Sequence, residues 1–213
     1  MQNNMAFGKL YIGCEWIMKL AYINLLWILF SIGGLIVFGV LPATVSLFSI
    51  VRKWLVNKES ELPIFQTFFQ IYKSEFLRVN KLGVILVIFG LFLYYDFKFI
   101  MNAGGMLQYT LTIPLLLITS FYFITLVYLF PVYVHYDQTV FQYVKNSFII
   151  AILNMDITIL LLILIAIIGY IFSAIPGLLP FFSLSLIGVV IMWGAAISFR
   201  RVEKKQQNLS SQK

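Results

Sequence analysis

The sequence predicts an all-α fold, a polytopic transmembrane helical bundle of five to six membrane helices plus amphipathic interfacial segments. Three observations lead there. Of 213 residues, 62% are hydrophobic and 11% charged, with a mean hydropathy of +0.96. Soluble domains run near half apolar and about a quarter charged. The apolar residues gather into runs of the length that a bilayer core of ~30 Å demands. The basic residues cluster beside those runs, as they do at cytoplasmic flanks and anionic headgroups. No polar stretch is long enough for a second domain, so residues 1–213 are expected to form one integral membrane domain with a short polar tail from 200 to 213.

The elements follow in order. Met1 to Trp16 is expected to be an amphipathic lead-in, with Phe7, Leu10, Tyr11 and Cys14 on one face. A first span covers Ile17 to Phe38, too long an apolar run for a secretory signal and followed by no small-residue cleavage site. Asn24 lies inside it. Gly33, Gly34, Gly39 and Pro42 then break the run, and a short helix from Ala43 to Val56 follows. At 1.5 Å per residue that helix barely crosses the core, and the sequence leaves open whether it spans or dips and returns. Ser60 is a candidate N-cap, and Pro63 is expected in the first turn of the next helix.

That helix, Ile64 to Ile100, organises the chain. Phe65, Phe68, Phe69, Tyr72 and Phe76 share one side, with Gln66, Gln70 and Lys73 on another. Its first half is expected at the membrane surface and its second half inside. Asp96 to Tyr109 is expected as a loop and Thr110 to Val134 as a span. Pro114 falls in the first turns of that span and Pro131 near its end. His135 to Asn146 reads as a polar connector, in which Asp137 or Thr139 caps a short helix with Val140, Phe141 and Val144 along its stripe. Ile157 to Phe172 is a clean span, Ser173 to Pro180 a turn marked by Pro-Gly, and Phe181 to Phe199 the last span. Arg200, Arg201, Lys204 and Lys205 are expected to stop it.

Charge orients the bundle. With the N-terminus inside and the Ala43 helix crossing, Lys98 alone among the 15 Lys and Arg falls outside. With the N-terminus outside and that helix not crossing, Lys9 and Lys19 join it. The first arrangement satisfies the positive-inside rule better. Both place the C-terminus of a multi-pass membrane protein in the cytoplasm.

Several of these segments carry a resemblance. Asn24-Leu25-Leu26-Trp27 in the first span precedes a Gly-rich break and then Leu41-Pro42-Ala43-Thr44. Arg52-Lys53-Trp54-Leu55 ends the short helix, and an aromatic helix follows through Phe68, Phe69, Tyr72, Lys73, Glu75 and Phe76. Tyr136-Asp137 and Lys145-Asn146 with Phe148 complete the set. The chain thereby resembles the YesL-like family of bacterial membrane proteins, a domain of unknown function. The likeness covers most of the chain and is clearest in its first half. The loop after Tyr95 and the tail match no pattern of the family. The resemblance implies an accessory role beside carbohydrate (ABC-type) transport, and it supplies no catalytic residues.

Each candidate site residue has a plain alternative. His135, the sole histidine, with Tyr136 and Asp137 suggests a relay or half a metal site; a metal needs three or four ligands, and a capping role is the simpler account. Asp156 opens an apolar run, where an intramembrane carboxylate is a functional candidate and a helix N-terminus is its structural explanation. Asn24 suits an interhelical hydrogen bond. Glu75 and Arg78, three apart and beside Lys73 and Lys81, suit an ion-pair network or a lipid contact. Phe68, Phe69, Tyr72, Lys73 and Arg78 are the candidate partner or lipid surface. Cys14 is the single cysteine, so an intrachain disulfide is excluded. No phosphate-binding loop, nucleophile elbow or zinc-protease helix occurs. No cofactor, metal or nucleic-acid partner is expected. The partners expected are the lipid bilayer and a membrane transport complex. The reading is a non-enzymatic accessory protein, with a small transporter or channel as its competitor.

Overall fold

The computed structural model describes residues 2–59, 61–103 and 105–210. Among these residues seven α-helices follow one another: α1 (Gln2–Gly33), α2 (Val40–Arg52), α3 (Ile64–Ala103), α4 (Gly105–His135), α5 (Val140–Leu153), α6 (Met155–Ala174) and α7 (Leu179–Ser210). There is no strand among the described residues. Among the described residues five stretches are long and apolar enough to cross a membrane: Tyr11–Gly33, Ile64–Asn102, Gln108–His135, Met155–Ala174 and Pro176–Lys205. The all-α membrane architecture is therefore as the composition demands.

The bundle is built around its shortest long-buried piece. α2 packs against α1, α3, α4 and α7, and nine of its thirteen residues, Pro42 to Phe48 with Ile50 and Val51, are buried. Small side chains allow that approach, and its hydroxyls bond back along the helix: Thr44 to Val40 O at 2.7 Å, Ser46 to Pro42 O at 2.8 Å and Ser49 to Val45 O at 2.8 Å. These three hydroxyls are thereby satisfied within α2 itself. α1 runs antiparallel to α2, with Trp27 donating to Thr44 Oγ1 at 3.0 Å and Trp16 edge-on to Trp54. Phe48 stacks on Phe130 of α4. A π-helical turn, Lys53–Asn57, ends the element.

The turn between α1 and α2 shows why glycine is needed. A Cβ on Gly34 would strike the Gly39 backbone and the Tyr72 hydroxyl. Between them Leu35 and Ile36 adopt φ of 62° and 61°, a left-handed conformation that is an outlier for a β-branched side chain. The first span consequently stops at Gly33, short of Phe38, because the chain must reverse there to lay α2 against α1.

Other boundaries are also corrected. The predicted loop Asp96–Tyr109 is helical on both sides of Gly104, which lies outside the described residues; α3 runs 40 residues, ~60 Å at 1.5 Å per residue. Gly105, at φ 63°, is the described residue at that reversal. Polar side chains such as Asp96 and Asn102 do not end a helix whose backbone bonds continue. For the same reason α7 continues through Arg200 and Lys205 to Ser210. Pro63 precedes α3, with its carbonyl accepting from Thr67 N at 2.9 Å. The Ser60 cap and the Phe7 and Leu10 side chains lie outside the described residues. Thr139 caps α5, its backbone N–H bonded to Gln142 Oε1 at 3.0 Å in a capping box.

α3 and α4 form a long antiparallel pair. The main core takes α3 residues up to Leu86 and α4 residues from Ile124 onward. Beyond these the two helices pack on each other through Leu93, Ile100, Leu115 and Tyr122, with the Tyr122 hydroxyl on Leu86 O at 3.0 Å.

Candidate functional site

Polar side chains from five elements converge where α2 ends, α4 ends and α5 begins. They line a cavity of about 360 Å³, whose walls include Ser49, Glu75, Arg78, Tyr133, Asp137 and Tyr143. α3 supplies Glu75 and Arg78 from successive turns. The sequence reading paired these two; the structure separates them. Tyr133 donates its hydroxyl to Glu75 Oε2 at 2.6 Å. Arg78 instead ion-pairs with Asp137 on the connector and donates to Gln138 O at 3.0 Å and to the Tyr143 hydroxyl at 3.2 Å. Its guanidinium lies 5.8 Å and 5.9 Å from the Tyr133 and Tyr143 ring centroids, within cation–π range. The Tyr143 hydroxyl closes the connector by donating to Tyr136 O and accepting from Gln138 N.

His135 sits beside this cluster. Its Nδ1 accepts from Arg52 Nε at 3.3 Å, and its Nε2 lies 3.6 Å from Glu203. Phe199 and Tyr136 flank the ring. With Nδ1 accepting, the imidazole is oriented as a neutral ring that ties α2, α4 and α7 together. Tyr136, outside the spans, has its hydroxyl pushed up by burial and by Glu203. Among the described residues no three His, Cys, Asp or Glu side chains are placed to hold a metal ion.

The other candidates lie elsewhere. Asn24 is fully buried between α1 and α7. Its Oδ1 accepts from Leu184 N and Ser185 N at 3.0 Å each, and its Nδ2 donates to Pro180 O at 2.8 Å. One amide thus engages the backbone of the first turns of α7 from a neighbouring helix. Asp156 is exposed at the start of α6, paired with Arg201 of α7 at 2.6 Å. It does not lie inside the bundle.

The aromatic face of α3 divides in two. Phe68 is fully buried and Tyr72 half-buried, both against Phe30, whose carbonyl accepts from the Tyr72 hydroxyl at 3.1 Å. These two belong to the packing of α1 on α3, which corrects their placement on an outer surface. Phe69, Lys73 and Arg78 do face outward. The sequence reading missed Tyr133, Tyr143, Arg52 and Glu203 as site members. Tyr143 lay within the α5 segment it identified, one residue from the named stripe, and Arg52 within the Arg52-Lys53-Trp54-Leu55 segment; Tyr133 and Glu203 carried no local signal.

The family described as "Protein of unknown function, DUF624" matches residues 20–97, which run from inside α1 through most of α3. Three proteins of Bacillus subtilis (strain 168) are similar over nearly the whole chain. The uncharacterized protein YteU is 37% identical over 187 residues, covering 88% of this chain and 83% of its own. The uncharacterized protein YesV is 34% identical, covering 91% and 93%. The uncharacterized protein YesL is 33% identical, covering 91% of each. No solved structure matches the chain.

Proposed function

Because the chain belongs to the YesL-like family of proteins of unknown function, we propose that it is a non-enzymatic accessory or regulatory component of a carbohydrate (ABC-type) transport complex in the bacterial cytoplasmic membrane. In this reading the end of the bundle that carries Arg78, His135, Arg201 and the C-terminus faces the cytoplasm and meets the partner. The observation that carries the reading is the uneven placement of polar groups. Inside the bundle the hydroxyls of Thr44, Ser46, Thr125, Ser147 and Ser198 turn back onto carbonyls one helical turn earlier. Among the described residues these five hydroxyls are closed on their own helices, whereas a transporter or channel needs polar groups set along a path. A cluster of charged groups, Glu75, Arg78 and Asp137, instead lines the cavity at one end, and Lys73 and Phe69 are exposed on the same half of α3. Charged and aromatic anchors at a rim suit docking.

Crosslinking in cells, followed by purification in mild detergent, tests this. Transport permease subunits are expected to be recovered with the chain, and deletion of its gene is expected to lower sugar uptake. Recovery as a free protein with unchanged uptake would overturn it. Transport by the purified chain alone in liposomes would install the competing reading.

A further inference from the structure

We propose that the cavity between α2, α3, α4 and the α4–α5 connector binds a small, neutral, polyhydroxylated molecule, a polyol the size of one or two sugar rings. The inference rests on the reading above of this end as the coupling face, and it names what that face senses. Volume comes first: about 360 Å³ falls in the range of small-molecule sites, ~300–1,000 Å³.

Charge comes next. Arg78 is answered by Asp137, Glu75 takes the Tyr133 hydroxyl, and Arg52 and Glu203 face His135 from opposite sides. An anion entering here meets Glu75 and Asp137; a cation meets Arg78. Either must compete with an internal partner, at the modest cost of a pair whose side chains are 44% and 87% exposed. A neutral ligand breaks none.

The remaining valences point to hydroxyl groups. Glu75 uses Oε2 and Asp137 uses Oδ1, while Glu75 Oε1 and Asp137 Oδ2 hold no hydrogen bond among the described residues. Arg78 uses Nη2 for its three bonds, which leaves Nε and Nη1 as donors. The residues lining the cavity therefore offer both acceptors and donors, in planar groups that each hold a partner already. A hydroxyl both donates and accepts, so adjacent hydroxyls match such a set, whereas an amine or a phosphate satisfies half of it. The rings of Tyr133, Tyr136 and Tyr143 complete the wall and give the C–H face of a polyol ring an apolar surface to cover.

The test is titration calorimetry on the full-length chain in a polyoxyethylene detergent, since glucoside and maltoside head groups would compete. The probes are glucose, xylose, maltose and inositol, against inorganic phosphate and choline. Saturable heat from at least one of the four polyols is expected, with none from phosphate or choline. Glu75→Gln and Asp137→Asn are each expected to weaken the binding at least tenfold, and Phe141→Ala, on the exposed side of α5, to leave it unchanged. If one carboxylate variant loses its fold, the other reads the same cavity. No heat from all four polyols at 50 mM with folded protein would overturn the proposal. So would binding confined to phosphate or choline, or affinity that survives both carboxylate variants. Complex recovery is scored separately: an intact transport complex without polyol binding removes this inference alone, and polyol binding by a chain that copurifies with nothing removes the accessory reading alone.

Discussion

The α2-centred core and the far half of the α3–α4 pair are both apolar, yet they are held in opposite ways. In the core, Ala43, Leu47, Ile50 and Val51 are fully or almost fully buried and four helices surround one. In the far half, Val84, Val87, Phe92, Phe99, Ile113 and Leu117 are all more than half exposed, and the two helices pack chiefly on each other. Lipid solvates the second set as well as protein would, because tails are as apolar as leucine. Stability in the core therefore depends on shape, while stability in the hairpin depends on the bilayer. Composition alone cannot separate the two, since both read as continuous hydrophobic sequence.

The sharpest way to break the comparison is at the turn that feeds α2. Gly34→Val would drive a branched side chain into the Gly39 backbone and the Tyr72 hydroxyl. Backbone cannot yield as a side-chain tip can, so a loss of about 3 kcal/mol, or no folded protein at all, is expected. Thermal unfolding in detergent measures it. A melting temperature within 2–3 °C of the parent, roughly what 1 kcal/mol produces in a chain of this size, would show the α1–α2 contact to be loose.

Asn24→Ala acts on the same core from the other side. It removes the acceptor of Leu184 N and Ser185 N, both within the apolar stretch Pro176–Lys205. Polar contacts between membrane helices average ~0.6 kcal/mol and reach about 1.7; with two backbone donors involved, about 1–2 kcal/mol is expected. Slowed packing of α7 on α1 should accompany it, read as faster amide exchange at Leu184 and Ser185. Unchanged exchange there would mean that α7 satisfies its own backbone and that Asn24 is dispensable.

These two residues also show what the sequence could and could not say. Asn24 and the glycine break were legible, because a polar group in an apolar run and a Gly cluster are local signals. The five long spans and the Thr139 cap were legible for the same reason. That α2 is the hub was not: Ala43, Thr44 and Ser46 announce close approach without naming a neighbour. Helix ends failed where Asp96, Asn102 and Arg200 were read as stops, since side-chain polarity is a weaker constraint than an unbroken backbone ladder. At the candidate site Arg78, His135 and Asp137 stood out as charges near apolar runs. Their partners Tyr143, Arg52 and Glu203 lie 65, 83 and 68 positions away from them in the chain, and no spacing rule reaches that far.

The smallest effect sharpens the comparison from the hairpin side. In Gly90→Ala a new Cβ would lie 3.3 Å from the Tyr122 hydroxyl, slightly tight against the end of a side chain. Alanine gains about 0.5–1 kcal/mol over glycine in a helix interior, and Tyr122 can shift a few tenths of an ångström at similar cost because the contact is with the end of its side chain. The two terms nearly cancel, so a net change within about 0.5 kcal/mol is expected. The experiment compares Gly90→Ala with Gly34→Val in one detergent by thermal unfolding. A loss above about 2 kcal/mol for Gly90→Ala would mean that the hairpin interlocks as tightly as the core, and the division between shape-held and lipid-held regions would fall.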